Sequence, residues 1–338
     1  MSALHPDSLA SELPCPTRPA PLLSGWPAAW FMFCPARAVR RGPVGKQAFG
    51  QRLVAFRTAS GKVAVLAGRC VHLGADLAGG CVVGESLRCP FHHWQFDAQG
   101  RCIAMPATGD IPEGARQLAF PAVERMGGVY CYNGRSPAHL LPFFDGLDAA
   151  DLQPAPPCTL VLQCPWYMVG ANGVDVQHFA TTHDRRLLAP PAVDYPLPDV
   201  HRTVTRFGIA GQHLRDRLTR LAGHEVRMEV HDWSGTMFLV RATFRRTETF
   251  GIVSLLPRTA RETEVHVIVA VRRSSRPWCR RGFDPLNARL RRWFIQRFLQ
   301  PDVARSAGTD VATGRLIPAD RPMAEYFRWL QSLHGVPS

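Results

Sequence analysis

Between Trp26 and about Gly134, apolar residues come in short runs broken by turn-forming residues. QRLVAFRTASGKVAVL reads as a hairpin turning at Ser60-Gly61, WQFDAQGRCIAM as another turning between Asp97 and Gly100, and GGVYCYNG as one more strand. A small all-β domain over residues 26–134 is therefore expected. The Pro-rich stretch containing LQPAPPCTL marks a connector over 135–157. From 158 to 338 the pattern changes. NGVDVQHFATTH has helical spacing, whereas HEVRMEVHDW, TMFLVRATF, FGIVSLL and EVHVIVAVRR read as strands of an antiparallel sheet. FDPLNARLRRWFIQRFLQ then sets Leu286, Leu290, Phe294 and Phe298 on one helical stripe. The fold class is thus α+β, an all-β domain followed by an antiparallel sheet with helices. Residues 1–25, polar and broken by proline, read as a loose leader without the apolar core of a signal peptide.

Composition refines this picture at three points. With 338 residues, 46% of them hydrophobic, two ordinary cores can be filled. No apolar run approaches the ~18 residues of a spanning helix, so a cytoplasmic protein without a transmembrane segment is expected. The net charge of +13 is carried almost wholly by arginine, Lys46 and Lys62 being the lysines. Those arginines are dispersed and accompany no nucleic-acid motif, so the charge points to an acidic protein partner. The arginine-rich segment 272–297 is either a docking face or a solvated helix surface. Of ten cysteines, Cys15, Cys34, Cys158 and Cys279 lack spacing logic and are most simply reduced thiols.

The clustered cysteines carry chemistry. CVHLGADLAGGCVVGESLRCPFHH offers two mirrored pairs, Cys70-x-His72 and Cys89-x-x-His92. Zinc sites draw on wider Cys-Cys and His-His pairs, which C-x-H fits awkwardly. A two-iron, two-sulfide cluster fits better, with Cys70 and Cys89 on one iron and His72 and His92 on the other; neutral imidazoles in place of thiolates raise its reduction potential. Gly74, Gly79, Gly80 and Gly84 let the loops wrap closely and present N–H groups to the sulfides.

These motifs resemble the Rieske family, over about residues 26–134. The respiratory type in that family carries a disulfide between the two loops. Here Ala75 and Phe91 stand at the corresponding positions, so the resemblance is to the oxygenase or ferredoxin type. Val71 stands where proline is frequent, and His93 where glycine is frequent, giving CPFHHW. The C-x-x-H spacing favours His92 as the ligand, with His93 a neighbour.

An electron carrier could stop near residue 135, but ANGVDVQHFATTHD follows. Asp175 and His178 share a helix face, whereas His178 and His183, five apart, do so only if the helix ends or distorts between them; Thr181-Thr182 is a candidate place. After a Rieske domain this segment resembles D-x-x-H-x-x-x-x-H, the mononuclear iron signature of Rieske oxygenases. The resemblance implies that His178 and His183 hold Fe(II), which two histidines and a carboxylate bind on one side, leaving positions for O2. It also implies that Asp175 bridges electrons from His92 of a neighbouring subunit. The third ligand is then expected late in the chain. Asp302 continues the 290–294–298 stripe and so should emerge from the helix's buried face, although Pro301 should kink or end that helix; Asp310 is the fallback. Asn172 is a helix cap or a polar neighbour of the iron. His201, His213, His224, His231 and His266 read as ordinary surface or core residues.

No G-x-G-x-x-G opens a helix after a strand. NAD(P)H is therefore implied only through a separate flavin or iron–sulfur reductase or a ferredoxin. Together the motifs resemble the terminal oxygenase of a Rieske non-haem iron system, one [2Fe–2S] cluster and one Fe(II) per chain, as a head-to-tail homotrimer. HLGAxL…GG…CPFHxWxFD with RPMAEYFRWLQSL most resembles the branch containing ketosteroid hydroxylases, cholesterol desaturases and aminopyrrolnitrin oxygenase. A monooxygenase acting on a bulky apolar molecule is implied: a sterol or steroid C–H bond first, arylamine N-oxygenation or aromatic O-demethylation next. The apolar strands from 224 to 271 either roof a substrate cavity or simply form a core. A pure electron carrier and a non-catalytic binding protein are the competing readings, against which Asp175, His178 and His183 speak.

Overall fold

A computed structural model describes residues 22–23, 25–311 and 315–334; nearly all of the expected leader, with Cys15, lies outside them. Eleven strands make up the first part of the chain: β1 (Trp30–Pro35), β2 (Val44–Ala48), β3 (Gln51–Arg57), β4 (Val63–Ala67), β5 (Cys81–Val83), β6 (Ser86–Arg88), β7 (Gln95–Asp97), β8 (Cys102–Ala104), β9 (Ala119–Phe120), β10 (Ala122–Arg125) and β11 (Gly128–Tyr132). They form three small antiparallel sheets, in the orders β1-β11-β10, β2-β3-β4-β9 and β5-β6-β7-β8. Both expected hairpins are present, as β3–β4 and β7–β8. One of the two loops that carry the Cys-His pairs leads from β4 into the short β5–β8 sheet, and the other lies within that sheet between β6 and β7.

The second part is built on one nine-stranded antiparallel sheet. Its strands are β12 (Leu152–Pro154), β13 (Cys158–Leu162), β14 (Arg185–Leu187), β15 (Ala192–Leu197), β16 (Val200–Ile209), β17 (Glu225–Trp233), β18 (Met237–Phe244), β19 (Glu248–Thr259) and β20 (Glu262–Arg272). Helices α1 (Trp166–Val174) and α2 (Val176–His183) follow β13, α3 (Leu214–Thr219) follows β16, and α4 (Asp284–Arg305) and α5 (Arg321–His334) close the chain.

Period-two alternation in the sheet divides its side chains between two cores. Met237, Leu239, Phe250, Ile252 and Ile268 face the first sheets, where they pack with Trp30, Met32 and Tyr130. Phe238, Val240, Val253, Val267 and Val269 face the helices, packing with Trp166, Tyr326, Phe327 and Leu330. The strands from 224 to 271 are thus largely core. The two parts are also joined by polar bonds: the Met32 N–H donates to Ser254 Oγ at 2.8 Å, and Lys46 of β2 pairs with Glu264 of β20.

Two features of α4 differ from expectation. Pro301 lies inside the helix, which runs on to Arg305; proline fixes a helical φ and forfeits one hydrogen bond without forcing an end. Nor does the stripe lie along a buried face, since Leu286 is 65% exposed and Leu290 54%. Each i to i+4 step turns the side chain by about 40° on a 3.6-residue helix, so the row winds from solvent at Leu286 to the interior at Asp302. Part of the arginine segment is inward too. Arg291 donates to the Glu248 carbonyl and to Thr249 Oγ1, and Arg292 to the Pro156 carbonyl.

Candidate functional site

The two cluster loops are built alike. In the first, between β4 and β5, the Cys70 N–H bonds the Ala75 carbonyl at 2.8 Å; in the second, between β6 and β7, the Cys89 N–H bonds the Trp94 carbonyl at 2.8 Å. The fourth residue after each cysteine takes a left-handed conformation, Gly74 at φ 76° and His93 at φ 59°. This is the physical reason glycine suits position 93. Gly80 lets the loops approach, because a Cβ there would lie 2.0 Å from the Arg88 carbonyl oxygen.

Cys70 and Cys89 are buried beside Leu77 and Phe96, while His72 and His92 are exposed at the tip. The two imidazoles lie 4.7 Å apart, and His72 stacks on Trp94 at 4.3 Å. Burial, with Cys89 adjoining, pushes the Cys70 thiol up to about 11. Two buried sulfurs and two outward imidazoles suit a cluster with one iron inside and one at the surface. Spacing could not reveal Gln117. Its side chain accepts the Val71 N–H at 2.9 Å and donates to the carbonyls of Ala67 and Arg69 at 2.9 and 2.7 Å, clamping the first loop. A proline at 71 would remove that N–H.

The second constellation forms where α2 meets α4. The expected helix is split at Asp175, whose Oδ1 accepts the N–H groups of Gln177 and His178 at 2.9 and 3.1 Å and so caps α2. Asn172 lies within α1 and caps nothing. Thr181 and Thr182 do not distort α2; the helix ends at Asp184, in the left-handed region at φ 52°, with its N–H bonded to the Phe179 carbonyl five residues back. That wider closing turn brings residues five apart towards one side.

The His178 and His183 rings are 4.9 Å apart. Asp302 Oδ1 lies 3.2 Å from Nε2 of each, and the three ligand atoms lie within 4.8 Å of one another. Yet Asp302 Oδ1 is buried with no hydrogen-bond partner among the described residues. Three lone-pair donors converging without hydrogen bonds between them is a donor set that fits a divalent cation. His178 Nδ1 lies 3.3 Å from Thr182 Oγ1, a contact that orients the ring, and Phe298 stacks on His183 at 3.9 Å. Asp310, the fallback, is engaged elsewhere, by the Tyr167 hydroxyl at 2.8 Å and Arg261 at 2.7 Å.

Sheet register shows what adjoins this group. Thr205, Met228 and Ala242 are cross-strand neighbours, as are Phe207, Val226 and Phe244. These residues share the helix-facing side with Val230 and Val240, and all but the buried Thr205 and Phe207 are only half-buried. Phe207 lies 4.7 Å from Phe179, one residue along from His178. A cavity of about 320 Å³ adjoins the same edge, lined by Phe179, Val193, His201, Thr203, Thr205 and Phe207 among others. It lies over β15–β16, outside the strands from 224 to 271. His201 is the one histidine set aside earlier that lines it, and burial holds that imidazole down at about 4.

Comparison with known proteins bears on the part of the chain that carries the first constellation. Residues 29–117 match the Rieske [2Fe-2S] domain. Aminopyrrolnitrin oxygenase PrnD of Pseudomonas fluorescens is 35% identical over 129 residues, 36% of each chain. The oxygenase component of a 3-ketosteroid-9-alpha-monooxygenase from Rhodococcus rhodochrous is 30% identical over 206 residues, 59% of this chain and 50% of that one. The chain thus spans half or less of these relatives. Dicamba monooxygenase bound to dicamba superposes with a TM-score of 0.74 at 16% identity, covering 92% of this chain and 98% of that one, which establishes a shared fold. Residues 29–117 thus belong to the Rieske [2Fe-2S] domain family, and the chain as a whole shares the fold of dicamba monooxygenase.

Proposed function

We propose that this chain is a terminal oxygenase component that uses O2 and electrons from a separate reductase or ferredoxin to oxidise a bulky apolar substrate. The observation that carries the reading is the convergence of His178, His183 and the unbonded Asp302 Oδ1 in a chain that also has a Rieske domain. A [2Fe–2S] cluster on Cys70, His72, Cys89 and His92 would supply single electrons, and Fe(II) on His178, His183 and Asp302 would supply the site at which O2 is reduced.

The chain's own residues have separable tasks. Thr182 orients the His178 ring, leaving Nε2 to face Asp302. Phe298 fixes the plane of His183 by stacking. Asp175 sets the first turn of α2 with Oδ1; its second oxygen is the atom for an N–H bond from His92 of a neighbouring copy. Such a contact is heterologous and closes in a ring, for which a trimer is the expected form. Val226, Met228, Ala242 and Phe244 offer an apolar floor that excludes water from the substrate's reacting carbon.

A sterol or steroid C–H bond is the leading substrate, favoured by that floor and by the ketosteroid relative, which aligns over 59% of this chain. Arylamine N-oxygenation is the second reading, favoured by the 35% identity to aminopyrrolnitrin oxygenase. The test is turnover under 18O2 with NADH and a surrogate reductase, comparing steroids, arylamines and aryl methyl ethers by mass spectrometry. An oxygenated or dehydrogenated steroid formed by the wild type and absent with His178→Ala supports the reading. Cluster reduction and reoxidation with no product from any panel member would leave an electron carrier.

A further inference from the structure

The cavity over β16 differs in composition from the strongly basic chain around it. Its floor is four buried residues of that strand, His201, Thr203, Thr205 and Phe207. Val193 and Tyr195 of the paired strand β15 stand at its rim, 45% and 48% exposed. Val176 and Phe179 form a wall; they belong to α2, the helix that carries His178 and His183. The chain has 40 lysines and arginines, yet none lines this cavity. On β16 strand alternation is the reason: Arg202 and Arg206 point to the other face of the sheet, where they meet Asp194 and Glu225. The acidic residue that does line it is Glu325, whose carboxylate meets the exposed Arg321 at 2.8 Å.

His201 is only 4% exposed. Its Nδ1 lies 3.3 Å from Thr203 Oγ1, so with that hydroxyl donating, the ring proton sits on Nε2. Among the described residues Nε2 has no hydrogen-bond partner. The neighbouring Tyr326 hydroxyl is already committed, donating to Asp232 at 2.6 Å. Burial also keeps the His201 imidazole uncharged at neutral pH. A buried N–H without an acceptor favours a ligand that brings one. A carboxylate brought here would lose its water without meeting a cation.

We propose that this cavity binds an uncharged, mainly apolar molecule, held at His201 through a carbonyl or hydroxyl oxygen, and that it rejects carboxylates. Its volume of about 320 Å³ lies at the small end of the range of small-molecule sites, about 300–1,000 Å³. Calling that molecule the substrate rests on the oxygenase reading; the binding itself does not.

The experiment is equilibrium binding by the iron-loaded protein, at neutral pH, of three probes of nearly one shape: 2-acetylnaphthalene, 2-isopropylnaphthalene and 2-naphthoate. The wild type should bind the ketone at least about tenfold more tightly than the carboxylate. His201→Phe keeps a ring and removes its nitrogens; it should weaken the ketone about three- to tenfold and leave the hydrocarbon no weaker. Thr203→Val, which frees the imidazole tautomer, should act in the same direction. Val193→Trp, an exposed change that fills the rim, should weaken the ketone and the hydrocarbon at least about tenfold. A carboxylate bound as tightly as the ketone would overturn the proposal. So would a ketone affinity unchanged in both His201→Phe and Thr203→Val, or binding of every probe unchanged in Val193→Trp. Failure of all three probes to bind the wild type would overturn it as well, while iron content in wild type and His178→Ala would still test the metal site separately.

Discussion

At the scale of single residues, His93 shows how a loop's geometry outranks its sequence. It takes the left-handed conformation that Gly74 takes in the sister loop, at a cost of roughly 1 kcal/mol for a residue with a Cβ. His93→Gly should therefore raise the melting temperature, by the equivalent of about 0.5–1 kcal/mol, with the reduced cluster's spectrum unchanged; a fall would show that the imidazole itself holds the loop. The candidate cluster residues stood out because a cluster needs particular residue types at short spacing: Cys70, His72, Cys89 and His92 all fall within two loops. Gln117 was not, because its bond to Val71 spans 46 positions. The choice between Asp302 and Asp310 was legible only through resemblance and periodicity; the structure separates them by giving Asp310 to Tyr167 and Arg261.

At the scale of elements, α2 was legible as a helix but not in its ends. Asp175 interrupts what reads as continuous helical spacing because its carboxylate satisfies backbone N–H groups better as a cap than as an interior residue. The proposed second role, towards His92 of a neighbouring copy, can be separated from capping by mutation. Asp175→Asn keeps an acceptor at the cap, so the melting temperature should stay within error while turnover falls steeply. Asp175→Ala should lose about 1 kcal/mol of stability as well. Equal loss of stability in both would confine Asp175 to capping. The α4 row misled for a geometric reason: a strict four-residue repeat is not a face but a shallow spiral. Its first leucines therefore lie outside although its last member lies inside.

At the scale of the molecule, the antiparallel sheet and the small β sheets were legible from alternation, whereas their mutual docking was not, because it depends on pairs far apart in sequence. Glu264 is one such pair member, between Lys46 and His266. Burial pushes its carboxyl up, but His266 and Lys46 outweigh that and hold it down at about 2. A depressed carboxylate stabilises the fold above its ordinary pKa and loses that contribution as pH falls towards the folded value. The wild type should lose up to about 3 kcal/mol from this group between about pH 5 and pH 2, measured by chemical denaturation. Glu264→Gln should be less stable at pH 7 and show a shallower acid slope; an unchanged slope would remove Glu264 from the acid transition. The central claim, one Rieske cluster and one mononuclear site in the same chain, is tested most directly by anaerobic iron and sulfide analysis with electron paramagnetic resonance of wild type and His178→Ala. The expected result is about three irons and two sulfides per chain, falling to about two irons in the variant with the reduced-cluster signal intact. About two irons in both proteins would contradict the account, because nothing would then occupy the space between His178, His183 and Asp302.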